Sequence, residues 1–249
     1  MQIPNATFIV TGASSGLGLA VSRYLVGQHA RVVALDLRQD RSEFDDDRIL
    51  CIRADITRSD DIAAALREAT QKFRLIHGLI NCAGILYTEK LIPKDGAVFD
   101  LENFKRCLDV NLVGTFDMVR QTSVAMMDNP PNSDGERGII INTASIAASD
   151  GQIGQSAYAA SKAAIVGMTL PLARELSEYG IRVMTVSPGV FDTPMFSSVK
   201  EHQRKALEQQ SLFPSRLGKP SEFAALIAHT IENPMLNGEV IRLDAGLRM

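Results

Sequence analysis

Apolar residues in this chain gather into short unbroken runs, at 7–10, 31–35, 49–52, 78–80, 138–142, 182–186 and 239–243. A strand covered on both faces needs that pattern, because neither face meets water. Between the runs lie stretches with apolar residues at helical spacing, at 17–26, 60–72, 101–127, 156–177 and 221–231. Strand and helix alternating in this way predict an α/β fold, a doubly wound parallel sheet of about seven strands with helices on both faces. The chain is read as a single domain over 1–249. Residues 87–100, with Pro93 and Gly96, look like an insertion on this scaffold. So do residues 127–138, which read as a polar Pro/Gly-rich surface loop. A third region, 191–217, is irregular and carries Pro194 and Pro214. Ligands of open α/β sheets bind beyond the carboxyl ends of the strands, so a substrate lid is expected over about 190–217.

Composition narrows the class. The chain is 45% hydrophobic and 22% charged, which suits a globular protein in water. A net charge of -3 with scattered Lys and Arg argues against nucleic acid as a partner. The acidic run Asp45-Asp46-Asp47 has no neighbouring His and reads as a solvated loop. Cys51, Cys82 and Cys107 match no zinc spacing and read as buried, inert thiols in a reducing compartment. The histidines, His29, His77, His202 and His229, are scattered, so no metal site is expected. No apolar run approaches the roughly 18 residues of a membrane span, and the first residues show no signal peptide. A cytoplasmic protein that binds no membrane is the expectation.

The first run leads into Thr11-Gly12-Ala13-Ser14-Ser15-Gly16-Leu17-Gly18. Gly12 permits the turn out of the strand, Gly16 lets the backbone approach a pyrophosphate, and Gly18 lets the next helix pack closely. The helix N-terminus then offers N–H donors and a positive dipole end to an anion. This context makes the sheet Rossmann-type, with Ser14, Ser15 and Leu17 in the phosphate loop. The second strand ends at Asp36, whose carboxylate would accept ribose hydroxyls and repel a 2′-phosphate, so NAD is preferred over NADP. Arg38 is the nearby residue that favours a phosphate, and a plain strand-end Asp is the other reading of Asp36.

Tyr158 and Lys162 stand at i and i+4 on a predicted helix and share a face. An ammonium beside the phenol would lower its pKa from near 10 toward the useful range. Ser145 ends a buried strand just before that helix and would donate to a substrate oxygen beside Tyr158. Gln152 and Gln155 flank the turn before Tyr158, where they line a substrate pocket or sit in a solvated loop.

These motifs, with Asn81-Cys82-Ala83-Gly84, Asn111 and Ser187-Pro188-Gly189, occur in an order and over a span that resemble the short-chain dehydrogenase/reductase family. The resemblance implies catalytic roles for Ser145, Tyr158, Lys162 and Asn111, the last by holding a water linked to Lys162. It implies that Asn81 stabilises the central strand and that Ala83 and Gly84 line the adenosine side. Asp55 with Ile56 would meet the adenine, while Pro188, Gly189, Val190 and Thr193 would cradle the nicotinamide. Helix-interior hydrogen bonding is the other reading of Asn111, and a turn carboxylate that of Asp55. Further stretches, 138–145, 167–171, 213–218 and 231–244, are similar to the type 2 3-hydroxyacyl-CoA dehydrogenases, a group that includes 17β-hydroxysteroid dehydrogenases of type 10. That likeness implies NAD-dependent oxidation of an L-3-hydroxyacyl-CoA in fatty-acid metabolism by a homotetramer, in the mitochondrial matrix if the source is eukaryotic. The alternatives are a 3-oxoacyl-carrier-protein reductase, a steroid or other alcohol dehydrogenase of the same family, and a non-catalytic NAD-binding scaffold.

Overall fold

The computed structural model describes residues 1–38, 46–93, 96, 98–196 and 201–248. Asp45 of the acidic run, residues 197–200 of the expected lid and the side chain of His202 lie outside the described residues.

Seven strands form one parallel sheet: β1 (Thr7–Thr11), β2 (Arg31–Asp36), β3 (Ile49–Arg53), β4 (Gly78–Asn81), β5 (Gly138–Thr143), β6 (Ile181–Pro188) and β7 (Val240–Leu243). Their order is β3-β2-β1-β4-β5-β6-β7. The winding reverses between β1 and β4, and a crevice opens there beyond the carboxyl ends. The register sets Thr11 opposite both Leu35 and Asn81, and Asn81 opposite Asn142. The loops that follow β1, β2, β4 and β5 therefore converge on one edge.

Both sheet faces are covered, as the unbroken apolar runs require. Helices α1 (Gly16–Gly27) and α8 (Pro220–Glu232) cover one face, with Val21, Leu25, Phe223 and Ile227 against Phe8, Val10 and Val32. Helices α2 (Ser59–Phe73), α4 (Thr115–Met127) and α6 (Ser156–Leu176) cover the other, with Ile62, Met118 and Ala173 against Ile9, Val33 and Ile140. Burial of a side chain such as Phe223 contributes about 1.5–3 kcal/mol. Local signals agree with this packing. Asp60 and Asp61 open α2 and Lys72 closes it, which suits its dipole. Glu222 reaches back to the Lys219 N–H at 2.7 Å to cap α8.

Three regions depart from expectation. The expected helix over 101–127 is α3 (Leu101–Leu108), a π-helical segment Asp109–Gly114, and α4, run together. The π turn is wider by one residue and turns Asn111 inward. The region 191–217 is not irregular throughout, because it holds a 3-10 turn at Pro194–Phe196 and helix α7 (Glu201–Gln210). Helix α7 carries few apolar positions, so the periodicity that marks a packed helix is missing. The loop over 127–138 is not wholly a solvated surface: Asn129 and Glu136 are buried. The Asn129 amide donates to Ile76 O at 2.6 Å and Arg137 O at 2.9 Å, and Glu136 pairs with Arg182 at 2.7 Å.

Candidate active site

The convergent loops enclose a cavity of about 720 Å³. One end is built by the turn from β1 into α1. Gly12 has φ +66°, and a Cβ there would meet the Ala83 backbone at 2.9 Å. A Cβ on Gly18 would lie 2.3 Å from Gly12 O, so the helix can approach the strand only with glycine at this position. Thr11 Oγ1 accepts the N–H groups of Cys82 and Ala83, each at 3.1 Å, and ties this turn to the loop after β4. Ser15, at the N-cap of α1, makes no side-chain cap, and the first turn holds no acidic residue. Ser15, Gly16 and Leu17 line the cavity, so the amide donors and the positive dipole end of α1 face into it.

Asp36 marks the end of β2 at the same wall. Its Oδ2 accepts the Ser14 N–H and its Oδ1 the Arg38 N–H, both at 3.0 Å. The carboxylate is thereby fixed one strand away from the glycine turn. Asp55 and Ile56 line the wall after β3. Asp55 Oδ1 also takes the Thr57 N–H and hydroxyl at 2.9 and 2.7 Å, which is the turn role its spacing left open. Ala83 and Gly84 line the floor, and Pro188, Gly189, Val190 and Thr193 form the opposite side. These groups form one continuous wall from the glycine turn to the segment after β6.

At the other end Ser145, Tyr158, Lys162, Gln152 and Gln155 share the cavity wall. Tyr158 and Lys162 lie on α6 as the i, i+4 spacing demands, and the Lys162 Nζ stands 5.9 Å from the Tyr158 ring centre. The ammonium is aimed elsewhere than the phenol oxygen, since it donates to Thr143 O at 2.8 Å. Burial raises the Tyr158 pKa above its ordinary 10, and the Ser145 hydrogen bond only partly offsets this. Burial also lowers Lys162 to about 8. Of the protein's own groups, the Ser145 hydrogen bond is what acts against burial at the phenol.

Ser14, Asn81 and Asn111 do not line the cavity. Ser14 contributes its N–H to Asp36. Asn81 donates to Asn142 at 2.9 Å across the central strands. Asn111 is buried, bridges Ile85 O at 2.9 Å and Ile85 N at 2.8 Å, and donates to Ser161 Oγ at 3.1 Å. The side chain thus links the loop after β4 to α3, through Cys107 Sγ at 3.5 Å, and to α6.

Sequence reasoning passed over Thr143, whose carbonyl holds Lys162, because a carbonyl carries no residue signature. It passed over Ser161, which accepts from Asn111 and donates to Tyr158 O at 2.7 Å. It also passed over Met195, Phe196 and Leu207, which bring apolar side chains from beyond β6 to the cavity. Cys82 is half-buried, packs against the core and also lines the cavity, and burial pushes its pKa up to about 12, which suits an inert thiol. Among the described residues no three His, Cys, Asp or Glu side chains gather to hold a metal. No described helix is long and apolar enough to cross a membrane.

A doubly wound sheet, a glycine turn onto a bare helix N-terminus and a Ser–Tyr–Lys group at the far end of one cavity define a nucleotide-dependent oxidoreductase. The chain belongs to the short-chain dehydrogenase family, whose profile matches residues 6–204, and it uses a nicotinamide cofactor on a small-molecule substrate. It is 50% identical over 246 residues to the human 3-hydroxyacyl-CoA dehydrogenase type-2, covering 97% of this chain and 94% of that protein. The Drosophila melanogaster protein of the same name is 46% identical over 253 residues, covering 100% of this chain and 99% of the relative. The crystal structure of 3-hydroxyacyl-CoA dehydrogenase type-2 from Mycobacterium avium superposes with a TM-score of 0.94 at 36% identity, over 98% of this chain and 96% of that one.

Proposed function

We propose that the chain catalyses reversible, NAD-dependent oxidation of L-3-hydroxyacyl-CoA to 3-ketoacyl-CoA. The observation that carries this reading is the Ser145, Tyr158 and Lys162 group in one cavity with the carboxylate of Asp36. Similarity along the whole chain to proteins named for this substrate supports the acyl-CoA class. The apolar wall of Met195, Phe196 and Leu207 suits an acyl chain.

A nicotinamide cofactor held along this cavity would supply or accept the hydride. The protein does the rest. Tyr158 accepts the proton of the substrate hydroxyl and returns it in the reverse direction. Ser145 donates to the same oxygen and stabilises the charge that develops on it. Lys162, held on Thr143 O, keeps a positive charge near the phenolate and would hold the cofactor's ribose. Asp36 accepts from the adenosine ribose hydroxyls and repels a 2′-phosphate. Exposed apolar side chains on α4 and α6, among them Phe116, Val124 and Leu170, support assembly as a homotetramer.

The test is the initial rate of acetoacetyl-CoA reduction with NADH and with NADPH. A rate at least about tenfold higher with NADH is expected, and Asp36→Ala should erase most of that preference, because repulsion of a phosphate by a fixed carboxylate is worth about 1–2 kcal/mol near the surface. Faster reduction with NADPH would favour the acyl-carrier-protein reductase, the reading that Arg38 at the cavity wall supports. NADH binding with no turnover of any alcohol or ketone would favour the scaffold.

A further inference from the structure

Ser145 follows β5, and its Oγ accepts the Ala147 N–H at 3.2 Å. Its orientation is therefore tied to the first turn of α5 (Ala147–Asp150). A helix of 4 residues has no stability of its own and takes its position from its neighbours. Its last residue, Asp150, accepts from Arg242 Nη2 at 2.6 Å, across 92 positions of sequence. Arg242 lies on β7. Its Nε donates to Asp244 at 2.8 Å, and Asp244 also takes Arg248 at 3.0 Å.

Asp244 backs onto the turn after β6. A Cβ on Gly189 would stand 2.8 Å from the Asp244 Cβ, and the Gly189 N–H donates to Leu243 O at 2.9 Å. The Ile146 N–H donates to Pro188 O at 3.0 Å and closes the ring. The segments after β5, β6 and β7 thus brace one another, and the Arg242 guanidinium spans two of them.

We propose that Arg242 is a positioning residue for the reaction: held between Asp150 and Asp244, it fixes the Ser145 loop against the Pro188–Gly189 turn. The inference rests on the role given to Ser145 above. Arg242, Asp150 and Asp244 lie outside the cavity lining, so the effect is exerted through the backbone they hold. The ions are well shielded, with side-chain exposures of 27% for Arg242, 16% for Asp150 and 8% for Asp244. A planar fork gripping two carboxylates fixes direction as well as distance, which a lysine in its place cannot do. Displacement of a reacting group by about 1 Å can cost about 10²-fold in rate.

The experiment compares Asp150→Asn, Arg242→Gln and the double variant with the wild type. Each single variant should lower kcat for acetoacetyl-CoA reduction about tenfold while NADH affinity, read by fluorescence, stays within about twofold. The double variant should lose no more than the worse single one, because both remove the same contact. A second readout needs no substrate. The groups facing the Tyr158 phenol are Ser145, Cys107 and Lys162, and the Ser145 hydrogen bond holds its pKa down. The phenolate absorbance of Tyr158, taken as the difference from Tyr158→Phe, should therefore titrate at higher pH in Arg242→Gln. Wild-type turnover decides the functional reading by itself, and variant-to-wild-type ratios decide the role of Arg242. Unchanged kcat in the single variants, losses that multiply in the double one, or an unmoved phenol titration would each overturn the proposal.

Discussion

Tyr158→Phe is expected to reduce turnover by about 10²–10⁴-fold, the usual worth of a positioned proton donor or acceptor, while NADH still binds. The substitution removes one oxygen and keeps the ring, so the α6 face and the cavity shape persist. Ser145 alone can donate to the substrate oxygen but has no ionisable site to take the proton. The pH dependence should follow from the direction of the pKa shift. Burial raises the Tyr158 phenol, so it stays protonated through neutral pH within the protein's own groups. Alcohol oxidation needs the phenolate and should climb as pH rises, whereas ketone reduction needs the phenol and should not climb. Lys162, lowered to about 8, loses its charge below the pH at which the buried phenol ionises, so its support for the phenolate fades before that ionisation is complete. Initial rates in both directions across pH 6–10, for the wild type and Tyr158→Phe, check this. Wild-type-like rates in the variant would remove Tyr158 from the reaction.

The parts of this architecture that were legible in the sequence are those governed by short-range rules. Unbroken apolar runs located all seven strands to within two residues at their ends, because a doubly covered strand admits few polar positions. The glycine turn was legible because Gly12 and Gly18 meet backbone where no Cβ fits. Tyr158 and Lys162 were legible because a helix fixes which positions share a face. What escaped reading depends on partners distant in sequence. Nothing near Lys162 announces that Thr143 O takes its ammonium. The π turn at Asp109–Gly114 keeps the residue pattern of an ordinary helix, so only its backbone reveals it. Glu136 sits in a run of Pro, Asn, Asp and Gly that reads as solvated. Its burial follows from Arg182, which no local pattern links to it.

That link carries the largest expected effect on stability. Arg182→Met should destabilise the fold by about 3–5 kcal/mol, because it strands the partner of a buried ion pair. Glu136 is 7% exposed and Arg182 6%, so water does not take over the missing contact. The guanidinium also donates to Thr230 O at 2.9 Å, Ile231 O at 2.7 Å and Leu236 O at 2.8 Å, carbonyls at and beyond the end of α8. Its loss leaves several acceptors unpaired as well as one carboxylate. Glu136 would keep the amino group of Met1 at 2.8 Å, which limits the damage. Glu136→Gln should therefore cost less than Arg182→Met. The charge goes, but an amide oxygen can still accept from Arg182. Replacing both residues with apolar ones of similar size should recover part of the loss, since the buried carboxylate is then no longer stranded. Denaturant unfolding of the three variants at constant pH measures the order. A double variant weaker than Arg182→Met would show that the bonds to α8, and not the ion pair, set the stability of this corner.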